Sequence, residues 1–225
     1  MVRRGWLRRF GKWLIEFLLY PGICCLSCGE ETELDENGLC PICKERLDDG
    51  FSLYTRHIDA AICHSAFIYD DNHPAGMLVR RLKFGGISEC GVVLGDYCAK
   101  AFELLGADLD VIVPVPISIQ RYRDRGLNQS KVIADKISTE LGIPCKNLLK
   151  KKRHTRAQSS LNKTQRMTNV LDAYVVSGDV KGLKILLIDD VLTTGATTME
   201  CRFTLMRAGA SQVHVFCATM TEQTK

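Results

Sequence analysis

The chain has 225 residues, 46% of them hydrophobic, and a formal net charge of +4. That length suits one α/β domain with a small appendage and is enough to bury a full core. So slight a charge is no guide to partners, and eleven cysteines, an odd number at irregular spacing, argue against a secreted disulfide framework and for a reducing cytosol.

The predicted elements begin with an amphipathic helix over residues 1–20. Trp6, Phe10, Trp13, Leu14, Phe17 and Leu18 recur at helical spacing, with Arg8, Arg9, Lys12 and Glu16 mostly elsewhere. The stripe either packs on the rest of the chain, the commoner case, or lies on anionic lipid or a partner. The second option makes a cytoplasmic protein peripheral at the inner membrane face. Glu16 interrupts the apolar run, which is too short to span a bilayer, and no small-residue cleavage site follows.

Pro21 and Gly22 end that helix and open a segment over residues 21–50. Cys25-Leu-Ser-Cys28 and Cys40-Pro-Ile-Cys43 are two CxxC pairs separated by eleven residues. Four thiolates close a tetrahedral zinc site with no open position, which makes it structural, and a segment with so little core would draw much of its folding energy from the metal. Cys24 is an alternative to Cys25 but breaks the spacing. Glu30, Glu31, Glu33, Asp35 and Glu36 lie between the pairs, with no Lys or Arg, so the ribbon is not a phosphate contact. It is expected to dock on the basic part of its own chain.

From about residue 55 to 225 the pattern alternates strand and helix. Residues 60–70 read as a strand and 74–84 as a helix with Pro74 near its start, broken by Gly85 and Gly86. Residues 91–106 are a second helix, 110–116 a buried strand stopped by prolines, and 127–141 a helix closed by Gly142 and Pro144. A basic polar stretch covers 150–169. Strands at 173–177 and 184–188 follow, then a helix at 196–208 with Cys201, Leu205 and Ala208 on one face, and a strand at 212–219. Such alternation predicts an α/β fold with a mainly parallel sheet covered on both faces.

The most informative stretch is ILLIDDVLTTGATT, residues 185–198. An apolar strand ends in Asp189 and Asp190, where ligands sit in open α/β sheets. Val191, Leu192, Thr193, Thr194 and Gly195 then lead into a helix whose free N–H groups and dipole favour an anion. Thr193, Thr194 and Thr197 add hydroxyls, and Gly195 permits close backbone approach. The loop suits a phosphate, and the acids suit ribose hydroxyls or a hydrated Mg²⁺. A 5-phosphoribosyl group carries all of these. No GxxxxGK[ST] is present, so a Walker-type site is unsupported.

"LLIDDVLTTGAT" resembles the 5-phosphoribosyl pyrophosphate (PRPP) motif of type I phosphoribosyltransferases. With the cysteine ribbon, "RLKFGG" (81–86), "VPVP" (113–116), "RYRDRGLNQS" (121–130) and "RHTRAQSSLNKTQRMTNV" (153–170), the order over almost the whole chain is similar to the ComF family, which is linked to DNA uptake in natural competence. The resemblance implies a type I phosphoribosyltransferase fold and Mg²⁺ accompanying PRPP. Asp189 and Asp190 are then the catalytic pair, and Val191, Leu192, Thr193, Thr194, Gly195 and Thr197 the phosphate loop. A pyrophosphate loop would run over 115–121 with Val115 and Arg121, and Lys83 would reach the diphosphate. A mobile hood would cover the site over 150–169. Relatives acting on 6-oxopurines have an Asp where this chain has Thr193, which argues against such an acceptor. Two functions remain open: a PRPP-binding protein that assists DNA uptake alongside DNA-uptake proteins, or an active phosphoribosyltransferase of nucleotide metabolism with an unknown acceptor base or amine. The basic cluster Lys150, Lys151, Lys152 and Arg153 is a candidate contact for single-stranded DNA, though it lacks interleaved aromatics.

Overall fold

The computed structural model describes residues 24–152 and 173–222. The expected helix at 1–20 and most of the expected hood lie outside them. In chain order the described elements are α1 (Pro41–Gly50), β1 (Tyr54–Ile58), β2 (Ala61–Ile68), α2 (Pro74–Arg80), a π-helical turn (Arg81–Gly85), α3 (Ser88–Glu103) and β3 (Val111–Pro114). There follow α4 (Ile119–Arg125), α5 (Gln129–Leu141), β4 (Leu149–Lys151), β5 (Tyr174–Val176), β6 (Lys184–Leu192), α6 (Ala196–Arg207) and β7 (Gln212–Met220).

Five strands form one sheet in the order β1-β2-β7-β6-β3. β2–β7, β7–β6 and β6–β3 are parallel, and β1 folds back antiparallel on β2. β4 and β5 form a separate antiparallel pair. The fold is α/β with a mainly parallel sheet, as the alternation predicts. Pro114 is tolerated in β3 because that strand is an edge.

The core divides by strand periodicity. On β6, Leu186 and Ile188 pack with Leu94 of α3 and Ile133 and Ile137 of α5. Ile185 and Leu187 pack on the opposite side with Cys201 and Leu205 of α6. All four strand residues are fully buried, each worth roughly 1.5–3 kcal/mol of hydrophobic stabilisation. α3 and α5 approach closely because Gly91 and Gly95 face the second helix: a Cβ at Gly91 would lie 2.6 Å from Val132 Cγ1.

Residues 24–50 are built into this core. Cys25, Leu39, Cys40, Cys43 and Leu47 are buried with Leu78, Leu82 and Leu94. Ser27 Oγ donates to the Pro74 carbonyl at 3.3 Å, and Tyr97 Oη donates to Asp48 Oδ1 at 2.6 Å. Among the described residues this attachment is mainly apolar, with the acids of the 30–36 stretch left at the surface or half-buried; most of the basic residues on which the ribbon was expected to dock lie outside the described residues.

Four expectations change. The strand expected at 184–188 continues to Leu192, because β7 is equally long and the ladder persists through Asp189↔Cys217, Val191↔Thr219 and Leu192↔Met220. The acids thus lie inside the strand, and Val191 and Leu192 belong to it. The helix expected at 74–84 is α-helical only to Arg80, and Arg81–Gly85 widens into the π turn. Ala208 is the exposed C-cap of α6, and Thr198 is buried instead, beside Cys201 and Leu205. Arg121 lies on α4 rather than in an open loop.

Candidate functional site

β6 and α6 are joined by Thr193, Thr194 and Gly195 at the carboxyl edge of the sheet. Gly195 is the N-cap of α6, with φ +80° and no side-chain cap. A Cβ there would sit 2.5 Å from Ile58 Cδ1, so glycine answers both the left-handed turn and the packing of the β1–β2 hairpin on it. The hairpin also clamps the loop through Arg56, whose Nη1 donates to the Thr193 carbonyl at 2.9 Å. Thr198 Oγ1 donates to the Gly195 carbonyl at 3.0 Å. The result is a cup of about 60 Å³ lined by 191–198 and Asp189. It is too small for a nucleobase and of the scale of one oxyanion. First-turn N–H groups of a helix and its dipole make such a cup attractive to negative charge.

A second, polar cavity of about 250 Å³ shares Asp189, Val191, Thr193 and Thr197 with the cup. Its walls bring together Lys83, Val115, Arg121, Arg125, Gln129, Ser130, Lys151, Tyr174 and Asp190. Four cations from three segments, the π turn, α4 and β4, thus surround two carboxylates. Of the site residues named from sequence, Asp189, Asp190, Val191, Thr193, Thr197, Val115, Arg121 and Lys83 meet here, and Leu192, Thr194 and Gly195 complete the cup. The backbone N–H of Val115 is engaged with the Ile188 carbonyl at 2.9 Å, and its carbonyl accepts from Asn128 Nδ2 at 3.1 Å. Val115 therefore has no free N–H for an anion.

The two acids differ in environment. Asp189 Oδ1 accepts from Ser130 Oγ at 2.8 Å and from the Asp190 N–H at 2.9 Å. Burial, with the neighbouring Asp190 charge, nonetheless pushes the Asp189 carboxyl up to about 7. Asp190, 8% exposed, forms an ion pair with Lys83, Nζ to Oδ2 3.1 Å. Lys83 reaches it from the π turn, a departure from α-helix that often marks functional positions. Arg56, Ser130 and Tyr174 were not singled out from sequence as ligand contacts. Arg125 carried a signal as positive charge near the expected pyrophosphate loop, and Gln129 through the resemblance of "RYRDRGLNQS" (121–130).

The cysteine cluster is equally well defined. Cys25, Cys28, Cys40 and Cys43 place all four Sγ atoms within 4.8 Å of one another. Cys28 and Cys40 Sγ are 3.9 Å apart. A tetrahedral zinc with Zn–S of about 2.3 Å requires sulfurs about 3.8 Å apart, so the donor set fits that ion. The Cys40 N–H donates to Cys25 Sγ at 3.3 Å and the Cys43 N–H to Cys40 Sγ at 3.4 Å. Burial raises the Cys25 thiol, but amide donors from Cys40, Cys28 and Ser27 outweigh it and bring it to about 7. Burial and its sulfur neighbours push Cys43 up to about 12. Four crowded thiols cannot all ionise without a cation among them. Cys24 instead forms a β-bridge with Glu31, so Cys25 is the member of the cluster.

Residues 127–223 match the model of the phosphoribosyl transferase domain family. The chain is 29% identical over 226 residues to the DNA utilization protein YhgH of Salmonella typhimurium, covering 91% of this chain and 99% of that protein. It is 26% identical over 220 residues to competence protein F of Haemophilus influenzae, covering 85% and 94%. Competence protein ComFC of Streptococcus pneumoniae is 39% identical over 104 residues, covering 46% of this chain and 45% of that protein. With a phosphate-sized cup between β6 and α6, a mainly parallel sheet and a four-cysteine cluster, the chain is similar to the competence protein F relatives and to the phosphoribosyl transferase domain family.

Proposed function

We propose that this protein binds PRPP with Mg²⁺ and assists DNA uptake in natural competence. One observation carries the ligand assignment. The oxyanion-sized cup at the α6 N-terminus opens onto a cation-lined cavity, with Asp189 and Asp190 shared between or beside them. A ligand with a monophosphate at one end, a diphosphate at the other and a sugar diol between matches that order. Thr193, Thr194, Gly195 and Thr197, with the backbone of Val191 and Leu192, would hold the 5-phosphate. Asp189 and Asp190 would hold the diol, and Lys83 and Arg121 the diphosphate.

Oxygen donors of this kind also suit Mg²⁺, which keeps several waters and binds through one or two carboxylates and substrate phosphates. Bound Mg²⁺ would neutralise diphosphate charge. Lys83 must then share or yield Asp190, which it holds at 3.1 Å. Zinc is assigned to Cys25, Cys28, Cys40 and Cys43 as a structural ion. The DNA-uptake role draws support from the names of the competence relatives. Lys150, Lys151 and Lys152 are the described part of the basic cluster proposed to meet single-stranded DNA. The protein is assigned to the cytoplasm, with peripheral contact at the inner membrane face through residues 1–20 as the alternative. Among the described residues no helix is long and apolar enough to cross a membrane.

Transfer of the phosphoribosyl group to an acceptor is a second reading, favoured by one feature. A cavity of about 500 Å³ lies at the carboxyl ends of β2 and β7, lined by Tyr54, Tyr69, Asp70, Asp71 and His73. Asp71 there pairs with Arg80 at 3.8 Å, one turn before Lys83. This places the cavity beside the cationic one.

Isothermal calorimetry with Mg²⁺ and PRPP tests the ligand assignment. Wild type should bind at one site, and Asp189→Ala/Asp190→Ala should lose that binding while keeping its fold. Equal affinity in both proteins would remove the assignment. Release of pyrophosphate on adding a nitrogenous acceptor separates transfer from binding alone.

A further inference from the structure

Three consecutive residues at the start of the π turn face three different places. Arg81 carries its guanidinium to Gly29, the residue after Cys28, where an added Cβ would collide with Arg81 Nη2. Gly29 has φ +84° and closes the Cys25–Cys28 loop, its N–H donating to the Cys25 carbonyl at 2.9 Å. Leu82 is fully buried in the same core as Cys25, Cys40 and Cys43. Lys83 Nζ lies 3.1 Å from Asp190 Oδ2. One tripeptide thus joins the cysteine cluster to the ligand cavity.

Charge singles out Arg81. A zinc ion held by four thiolates carries a double negative charge. Residues 25–43 add Glu30, Glu31, Glu33, Asp35 and Glu36 and contain no Lys or Arg. Lys44, the next residue, is engaged with Asp48. Arg81 is half-buried, and among the described residues its guanidinium has no carboxylate partner. A partly desolvated cation calls for an anion, and the loaded cluster, one residue from Gly29, supplies it. The backbone carries the contact onward. The Arg81 carbonyl accepts from the Gly86 N–H and from the Ile87 N–H at 3.5 Å, the bonds that close the π turn bearing Lys83. The flanking helices hold the same loop: Ser27 Oγ donates to the Pro74 carbonyl of α2, and Cys90 Sγ of α3 to the Leu26 carbonyl at 3.6 Å.

We infer that Arg81 is the counter-charge of the four-thiolate site and the positioning residue through which that site holds Lys83 in the ligand cavity. The coupling rests on the PRPP assignment above and adds to it: the cysteine segment supports ligand binding as well as the fold. Arg81 does not line the cavity, so it acts on the ligand only through the turn it anchors. A cluster that loses its charge releases Arg81, the π turn loses its hold on the Cys25–Gly29 loop, and Lys83 is no longer fixed beside Asp190.

The test compares wild type, Arg81→Met, Arg81→Lys and Tyr97→Phe as full-length zinc-loaded proteins. Tyr97→Phe loosens the same segment at its contact with Asp48, away from Arg81, and controls for stability alone. Zinc affinity is read by competition with a chromogenic chelator, ligand affinity by calorimetry with PRPP and Mg²⁺, and stability by thermal melting. Arg81→Met should lower zinc affinity roughly 10-fold or more, the scale of an outer partner of a metal site, and weaken PRPP about 5- to 10-fold. Arg81→Lys keeps the charge and should restore most of the zinc affinity. Tyr97→Phe should leave both affinities within about twofold. Zinc affinity unchanged in Arg81→Met would overturn the counter-charge role, and weaker zinc with PRPP affinity unchanged would overturn the coupling. Equal losses in Tyr97→Phe would reduce Arg81 to a merely structural residue and overturn both. Wild type that binds no PRPP would remove the ligand assignment and the coupling with it, while the zinc competition still decides the counter-charge role.

Discussion

Asp189→Asn should make the ligand-free protein more stable near neutral pH. In the folded chain the Asp189 carboxyl is raised from 3.8 to about 7 by burial and by Asp190. The native state therefore holds this proton more tightly than the unfolded state. By linkage, stability falls as pH rises from about 4 to about 7, where the unfolded chain has already ionised the group, and levels off above. At about 1.4 kcal/mol per tenfold change in proton affinity, that rise sets a ceiling near ~4 kcal/mol. Effective screening at a partly solvated site brings the expected gain to about 1–2 kcal/mol at pH 7.5. Asn keeps an oxygen to accept from Ser130 Oγ. The assay is urea denaturation of both proteins from pH 4.5 to 8. The difference should be smallest at pH 4.5 and grow with pH. His64 and His214, which burial pushes down, titrate in the opposite sense and cancel in the comparison. A variant less stable than wild type at pH 7.5, or a difference independent of pH, would refute the reasoning.

Zinc removal by a chelator should lower the melting temperature of the whole protein, because Cys25, Cys40 and Cys43 share a core with Leu78, Leu82 and Leu94. Melting and a colorimetric zinc assay, at about one ion per chain by the four-thiolate rule, check this. Tyr97→Phe removes the hydroxyl that donates to Asp48 and should cost about 1 kcal/mol in urea melts without changing ligand affinity. Gly195→Ala forces φ +80° on an L-residue and presses on Ile58, so phosphate-ligand affinity in calorimetry should fall by at least about tenfold, while the melt moves by only the 1–2 kcal/mol of left-handed strain. Lys83→Met should destabilise by about 1–3 kcal/mol through the stranded Asp190 carboxylate and also weaken PRPP binding.

The parts of the fold that are legible in sequence are those governed by short-range pattern. The apolar run 185–188 and the helix stop at Gly142, which is left-handed at φ +65°, follow from local rules. The end of β6 does not, because the ladder past Ile188 is set by the length of β7, a tertiary partner. β1 escapes notice for the same reason: YTRHI is a half-exposed edge strand that gains its identity from pairing with β2. In the site, the β6–α6 loop is contiguous and so readable. Arg56, 137 residues from Thr193, and Ser130, 59 from Asp189, are brought in by topology alone. The cysteine cluster shows both limits. Its spacing names the four cysteines that cluster, but its apolar docking on α2 and α3 is invisible in a segment whose charges point to electrostatics.

A crystal structure of the protein with PRPP and Mg²⁺ would test the central assignment most directly. The 5-phosphate should lie within hydrogen-bond reach of the α6 N-terminus and the hydroxyls of Thr193, Thr194 or Thr197, with Asp189 and Asp190 facing the sugar diol. An empty cup beside a ligand bound elsewhere, or a cup filled by side chains at saturating ligand, would contradict it.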